Sequence, residues 1–133
     1  MTCKVFVFVD CITSPHGLEK LNVDVHSKMK KLGVYDYITH TTYILCRGNL
    51  FIDFIDAINM RCSQDSTVHT IELKVEEQEF AVAALAFQVG MCAVTCKAYD
   101  RIIVYTNSPL FINVLQLPHP VLSHVYAFSN SLK

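Results

Sequence analysis

Lys4-Val5-Phe6-Val7-Phe8-Val9-Asp10 decides the fold: an unbroken run of β-branched and aromatic residues that ends on an aspartate. Apolar residues at every position, rather than at every second one, suit a strand whose two faces are both covered. Strands of that kind sit inside parallel sheets, where crossover helices pack on either side. The stretch therefore predicts a central parallel strand with Asp10 at its carboxyl end.

Outward from that strand, the punctuation is regular. Ser14-Pro15 offers a helix N-cap with proline at the first helical position, and Leu18, Leu21, Val25, Met29 and Leu32 form one apolar stripe that stops at Gly33, a C′ glycine. Thr41 to Leu45 reads as a strand, Gly48-Asn49 as a break, and Leu50 to Met60 as a helix with Phe51, Phe54, Ile55 and Ile58 inward. After a polar link through Asp65, Thr67 to Leu73 reads as a strand. Glu76 to Val89 reads as an Ala-rich helix that ends at Gly90 and, being apolar on nearly every side, as the most buried helix of the domain. Arg101 to Tyr105 is another buried strand. Asn107-Ser108-Pro109 repeats the cap-plus-proline device before a short helix, Leu110 to Leu117, which Pro118 and Pro120 stop. Leu122 to Phe128 is the last strand and Ser129 to Lys133 a polar tail.

Strands alternating with helices predict an α/β fold: a single three-layer domain over residues 1–133, with a mostly parallel five-stranded sheet and helices on both faces, joined by right-handed crossovers. In doubly wound sheets ligands bind beyond the carboxyl ends of the strands, where strand order reverses. The loops after Asp10 and after Tyr105 are thus the candidate site. Thr13, Ser14, Thr106, Asn107 and Ser108 are its candidate ligand-binding residues, because two helix N-termini at one sheet edge offer N–H groups to a phosphate.

Composition narrows the function classes. A hydrophobic share of 52% against 17% charged residues suits a sheet covered on both sides and excludes a disordered chain. Eleven Lys+Arg against twelve Asp+Glu give a net charge of −1, which excludes a general binder of the phosphate backbone, so any RNA contact is local. The same neutrality, with the high apolar share, leaves helix faces for a protein partner or a homodimer. Met1-Thr2-Cys3-Lys4 runs straight into the first strand without signal or membrane-span features, which predicts an intracellular location, cytoplasmic or nuclear, and no membrane association. Of the six cysteines, Cys11, Cys46 and Cys92 lie within or beside apolar segments, so reduced thiols are expected. Cys92-x-x-x-Cys96 lacks a second matching pair, and His119 and His124 are its only distant zinc partners.

Several strings together resemble the NYN branch of the PIN-like nucleases across nearly the whole chain. They are Val7-Phe8-Val9-Asp10, the run from Glu79 to Ala86, Tyr99-Asp100-Arg-Ile-Ile-Val-Tyr-Thr-Asn-Ser108 with Phe111 beyond, and Val125-Tyr-Ala-Phe-Ser129. The resemblance implies a PIN/Rossmann-like fold in RNA processing, with carboxylates converging on Mg²⁺ or Mn²⁺. Carried onto this chain, Asp10 matches the first-strand aspartate and Glu79 the helix acid, with Glu76 or Glu77 as register alternatives; these would be catalytic residues and weak metal ligands. Where the family carries two further aspartates, the chain reads Thr106-Asn107-Ser108-Pro109-Leu110-Phe111, and Ile12, Thr13 and Ser14 stand where an asparagine is expected. The resemblance is therefore to a degenerate member: a pseudonuclease that binds RNA or scaffolds proteins and needs no cofactor. The alternative is an active metal-dependent endoribonuclease using Asp10 and Glu79.

The segment from Glu79 to Asn113 also resembles an RNase H-like acid helix and strand end, again with Asn107 in an aspartate's place. His40-Thr41-Thr42 resembles half of a two-histidine phosphoesterase, which neither His119-Pro-Val nor His124-Val-Tyr completes. His16, His26 and His69 read as surface residues, and no phosphate-binding loop or nucleophile elbow is present.

Overall fold

The computed structural model describes residues 3–10, 21–47, 67–73, 78–118 and 120–129. They form strands β1 (Cys3–Asp10), β2 (Tyr37–Arg47), β3 (Thr67–Leu73), β4 (Arg101–Tyr105) and β5 (Val125–Phe128). Between them lie helices α1 (Leu21–Lys31), α2 (Gln78–Thr95) and α3 (Pro109–Leu115), and a 3₁₀ turn over Pro120–His124. The sheet order is β3-β2-β1-β4-β5 and every neighbouring pair is parallel. The chain builds outward from β1 through β2 to β3, crosses back to β4, and builds outward again to β5. The order reverses between β1 and β4, which is where a doubly wound sheet opens its crevice.

Alternation along the central strands supplies a core on each side. Val5, Val7 and Val9 of β1, with Ile103 and Tyr105 of β4, pack under Leu21, Val25 and Met29 of α1. Phe8 of β1, with Ile102 and Val104 of β4, packs under Leu85, Val89, Cys92 and Ala93 of α2 and under Phe111 and Leu115 of α3. Phe8 also stacks on Tyr43 of β2, with ring centroids 4.5 Å apart and planes 6° from parallel. Leu21, Val25 and Met29 of the expected stripe are therefore the buried face of the first helix, with Leu32 partly buried beside them, while Leu18 lies outside the described residues. Gly33 ends that helix at φ 78°, while the Val34 N–H bonds the Met29 carbonyl and the Gly33 N–H bonds the Lys30 carbonyl. Only glycine enters that left-handed conformation without strain.

Several boundaries differ from the sequence reading. β2 starts at Tyr37 rather than Thr41, because Cys3, Lys4 and Val5 pair with Tyr37, Ile38 and Thr39 before an irregularity shifts the register between Val5 and Phe6. β5 starts at Val125, the residues before it being wound into the 3₁₀ turn. The Ala-rich helix runs through Gly90 to Thr95 instead of ending there. Nor is it enclosed on every side, since Phe87, Met91 and Val94 lie open to solvent. The expected helix over Leu50 to Met60 and the break at Gly48-Asn49 lie outside the described residues. No helix among the described residues is long and apolar enough to cross a membrane.

One polar residue holds the amino end of the sheet. Asp100, 2% exposed, accepts the Lys4 N–H through Oδ1 at 3.1 Å and the Lys97 N–H through Oδ2 at 2.9 Å. It ties the start of β1 to the turn that feeds β4. Asp100→Ala strands both donors and is expected to cost about 2–3 kcal/mol in urea unfolding, with Asp100→Asn milder because one acceptor oxygen survives.

Candidate functional site

At the switch point, Val9 pairs with Tyr105, so Asp10 and Thr106 leave their strands side by side. Asp10 is 1% exposed and Thr106 is fully enclosed. A carboxyl group at that depth must be hydrogen-bonded to be tolerated. The Thr106 hydroxyl donates to Asp10 Oδ2 at 2.8 Å, and Thr106 Oγ1 in turn accepts the Ser108 N–H at 3.1 Å. Ser108, extended at φ −78° and ψ 115°, caps α3 by accepting the Phe111 N–H at 3.4 Å, with Pro109 following at the first helical position. The Thr106 N–H reaches the Phe128 carbonyl at 3.0 Å, which draws β5 into the same junction. The result is a relay from β1 through the β4 loop into a helix cap.

This placement bears on Asp10 and on the loop after β4. Asp10 lies beside the loop after β4, as the two buried strands require. Thr106 and Ser108 are buried, and their side chains serve the relay and the cap. Asn107 faces outward and accepts a hydrogen bond from the Ser129 hydroxyl at 3.0 Å. Glu79 lies in the first turn of α2, a helix that leaves from beyond the carboxyl end of β3. It is thereby on the same edge of the sheet as Asp10. By alternation Asp10 also belongs to the face that carries Phe8 and α2. The side chain of Glu79, and all of Thr13, Ser14, Glu76 and Glu77, lie outside the described residues.

Does this donor set suit Mg²⁺ or Mn²⁺? Such cations need several converging oxygens, chiefly carboxylates. The loop after β4 supplies hydroxyl and amide oxygens only, with Leu110 exposed in the first turn of α3. Among the described residues no group of three or more His, Cys, Asp or Glu side chains is arranged to hold a metal. The described part of the set, one carboxylate with hydroxyl and amide oxygens, does not by itself fit a hard divalent cation.

Two pairings were not legible beforehand. The Tyr105 hydroxyl donates to Asp24 Oδ2 of α1 at 2.5 Å, clamping α1 to the end of β4. Burial first, then Asp24's hydrogen bond and charge, pushes the Tyr105 hydroxyl well above the usual tyrosine range. At the opposite, amino edge, Cys96 Sγ lies 3.0 Å from His124 Nε2. The sequence had offered these two residues only as remote zinc partners; the fold makes them neighbours, while His119 lies outside the described residues. Cys3, Cys92 and Cys96 carry free thiols. His40 bonds the neighbouring Thr41 hydroxyl at 2.8 Å in the body of β2, away from the carboxyl edge where a phosphoesterase half-site would be needed.

Thr106→Val keeps the side-chain shape but removes the donor to Asp10 and the acceptor of the Ser108 N–H, and is expected to cost about 2–3 kcal/mol by thermal or urea unfolding. A second expectation concerns pH. Burial, with smaller contributions from Cys96 and Asp100, pushes the Cys92 thiol from 9.0 to about 12. A folded pKa above the unfolded one gives stability that is complete below pH 9 and is lost as pH rises toward 12. The alkaline slope of stability should therefore flatten in Cys92→Ala, and native Cys92 should resist a thiol reagent at neutral pH until the protein is unfolded.

Compared with known proteins, this chain has no match among family models, curated proteins or solved structures.

Proposed function

We propose that this chain is a catalytically silent NYN/PIN-like domain that works as an RNA-binding or protein-scaffolding module in RNA processing. One observation carries the reading. The acid at the switch point, Asp10, is enclosed and engaged by Thr106, and the loop that would complete a nuclease centre offers Thr106, Asn107 and Ser108 in place of carboxylates. In metal-dependent nucleases the cations hold the charge that develops on the scissile phosphate, and clustered carboxylates hold the cations. Asp10 here has the chemistry of a structural acceptor. Asn107, exposed in the loop after β4, is the polar group of that loop best placed to meet a nucleotide.

The enzyme reading rests on a different observation: the topology brings Asp10 and the first turn of α2, with Glu79, to one face and one edge of the sheet. The two readings separate in one experiment. Labelled single-stranded RNA is incubated with the protein at millimolar Mn²⁺, beside Asp10→Asn, while binding is followed by fluorescence anisotropy. Binding without turnover, equal in the two proteins, is expected. Cleavage abolished by Asp10→Asn would replace the silent-domain reading with the nuclease one, and a chain that neither binds nor cuts would leave protein scaffolding alone.

A further inference from the structure

The layer formed by α2 and α3 has an unusual outer surface. The chain carries eleven Lys+Arg and twelve Asp+Glu, yet across these two helices the one charged residue is Glu79, in the first turn of α2. On the opposite layer, α1 carries Asp24, Lys28, Lys30 and Lys31, as a solvated helix does. On α2, Phe87, Met91 and Val94 are 66%, 53% and 72% exposed, at the i, i+4, i+7 spacing of a single stripe. They point away from the stripe of Leu85, Val89 and Cys92 that faces the sheet. Leu110 and Val114 of α3, and Leu117 just after it, are exposed at the same spacing.

Within the α2 stripe sits Gly90. Glycine is among the poorest residues for a helix interior, so its presence asks for a packing reason. The fold supplies none: a Cβ added at Gly90 would meet no atom within 4 Å. With Phe87, Met91, Val94 and Thr95 it lines a shallow apolar groove, and its missing side chain is a notch in the rim where another backbone can approach.

We propose that α2 and α3 form the interface of a two-fold homodimer, with the α2 helices crossing antiparallel at Gly90. A second copy is the occupant that the charge pattern suits. Neutral meets neutral, and an antiparallel crossing at Gly90 leaves Glu79 beyond the end of the neighbouring helix, so no charge is buried unpaired. Phe87 then lies against Val94 of the partner subunit, and Met91 lies beside the axis over the notch. A lipid surface is served worse, because helices that lie on membranes flank their apolar face with basic residues, and the last turns of α2 and α3 hold none. The size is adequate as well. Six exposed apolar side chains at about 100 Å² each approach the roughly 800 Å² per partner of a specific interface, and the polar residues between them make up the rest.

Sedimentation equilibrium on the full chain tests this, supported by circular dichroism to verify folding. The wild type should sediment as twice 15.1 kDa at micromolar concentration. Phe87→Lys with Met91→Lys should give a folded monomer. Gly90→Ala should loosen the dimer about tenfold, yet raise the melting temperature when placed in the monomeric double variant, since there only its helix propensity counts. Met91→Cys should form a 91-to-91 disulfide on mild oxidation, a readout that survives even if the lysine variant misfolds. A wild type that stays at 15.1 kDa up to about 100 μM, with or without affinity for neutral phosphatidylcholine vesicles, overturns the proposal. So does a dimer that tolerates both lysines, or one without the 91-to-91 crosslink.

Discussion

Burial of β1 on both faces is the constraint from which the rest of the architecture follows. A strand with Val5, Val7 and Val9 on one side and Phe8 on the other cannot lie at a surface, so it calls for a layer above and a layer below. Parallel strands oblige the connections to cross over as helices, and right-handedness decides which layer each helix joins. Building first toward β3 and then toward β5 sends α1 to one face and α2 and α3 to the other. The same reversal puts the switch point between β1 and β4.

Both ends of β1 are then held by carboxyl groups working as acceptors. At the amino end Asp100 takes the N–H of Lys4, and at the carboxyl end Asp10 takes the hydroxyl of Thr106. Each joins β1 to a residue flanking β4, and neither strand could slip in register without breaking both. Such slips turn every side chain to the wrong face, so two bonds at the ends protect the apolar pairings between them. Tyr105 adds a third tie, from the end of β4 to Asp24 of α1.

How much of this the sequence revealed depends on the range of the forces involved. Strand identity and the order of the described elements were legible, because buried parallel strands and capped helices leave local signatures: the Val5–Val9 run, Ser108-Pro109, Gly33. The junction of Asp10 with the β4 loop followed from topology. What stayed hidden was non-local pairing. Nothing in the sequence around Asp24 points 81 positions onward to Tyr105, or from Cys96 to His124, since those contacts exist only once the layers are stacked. The α2 helix was misjudged for a different reason. Hydrophobicity from Phe80 to Val94, broken only by Gln88 and Gly90, suits a helix enclosed by its own domain and one covered by another molecule equally well. Glycine is a common helix terminator, but Gly90, on the outer side between Phe87 and Val94, has no capping duty because the helix runs on to Thr95.

The hydroxyls of the loop after β4 suit a junction built around a buried Asp10. Two carboxylates brought together beside a buried Asp10 would repel one another unless a cation stood between them, and without it the group would take up protons or the loop would open. A metal-binding centre of that kind is therefore unstable until it is loaded. Thr106 removes the conflict: its hydroxyl is a donor toward Asp10 and an acceptor toward the Ser108 N–H, so one side chain satisfies both neighbours without any charge of its own. Ser108 then meets the exposed N–H of the following helix, a task a hydroxyl performs as well as a carboxylate does. Among the described residues the junction is held by hydrogen bonds within the chain, from the Thr106 hydroxyl to Asp10 and from the Ser108 and Phe111 N–H groups to the hydroxyls of Thr106 and Ser108.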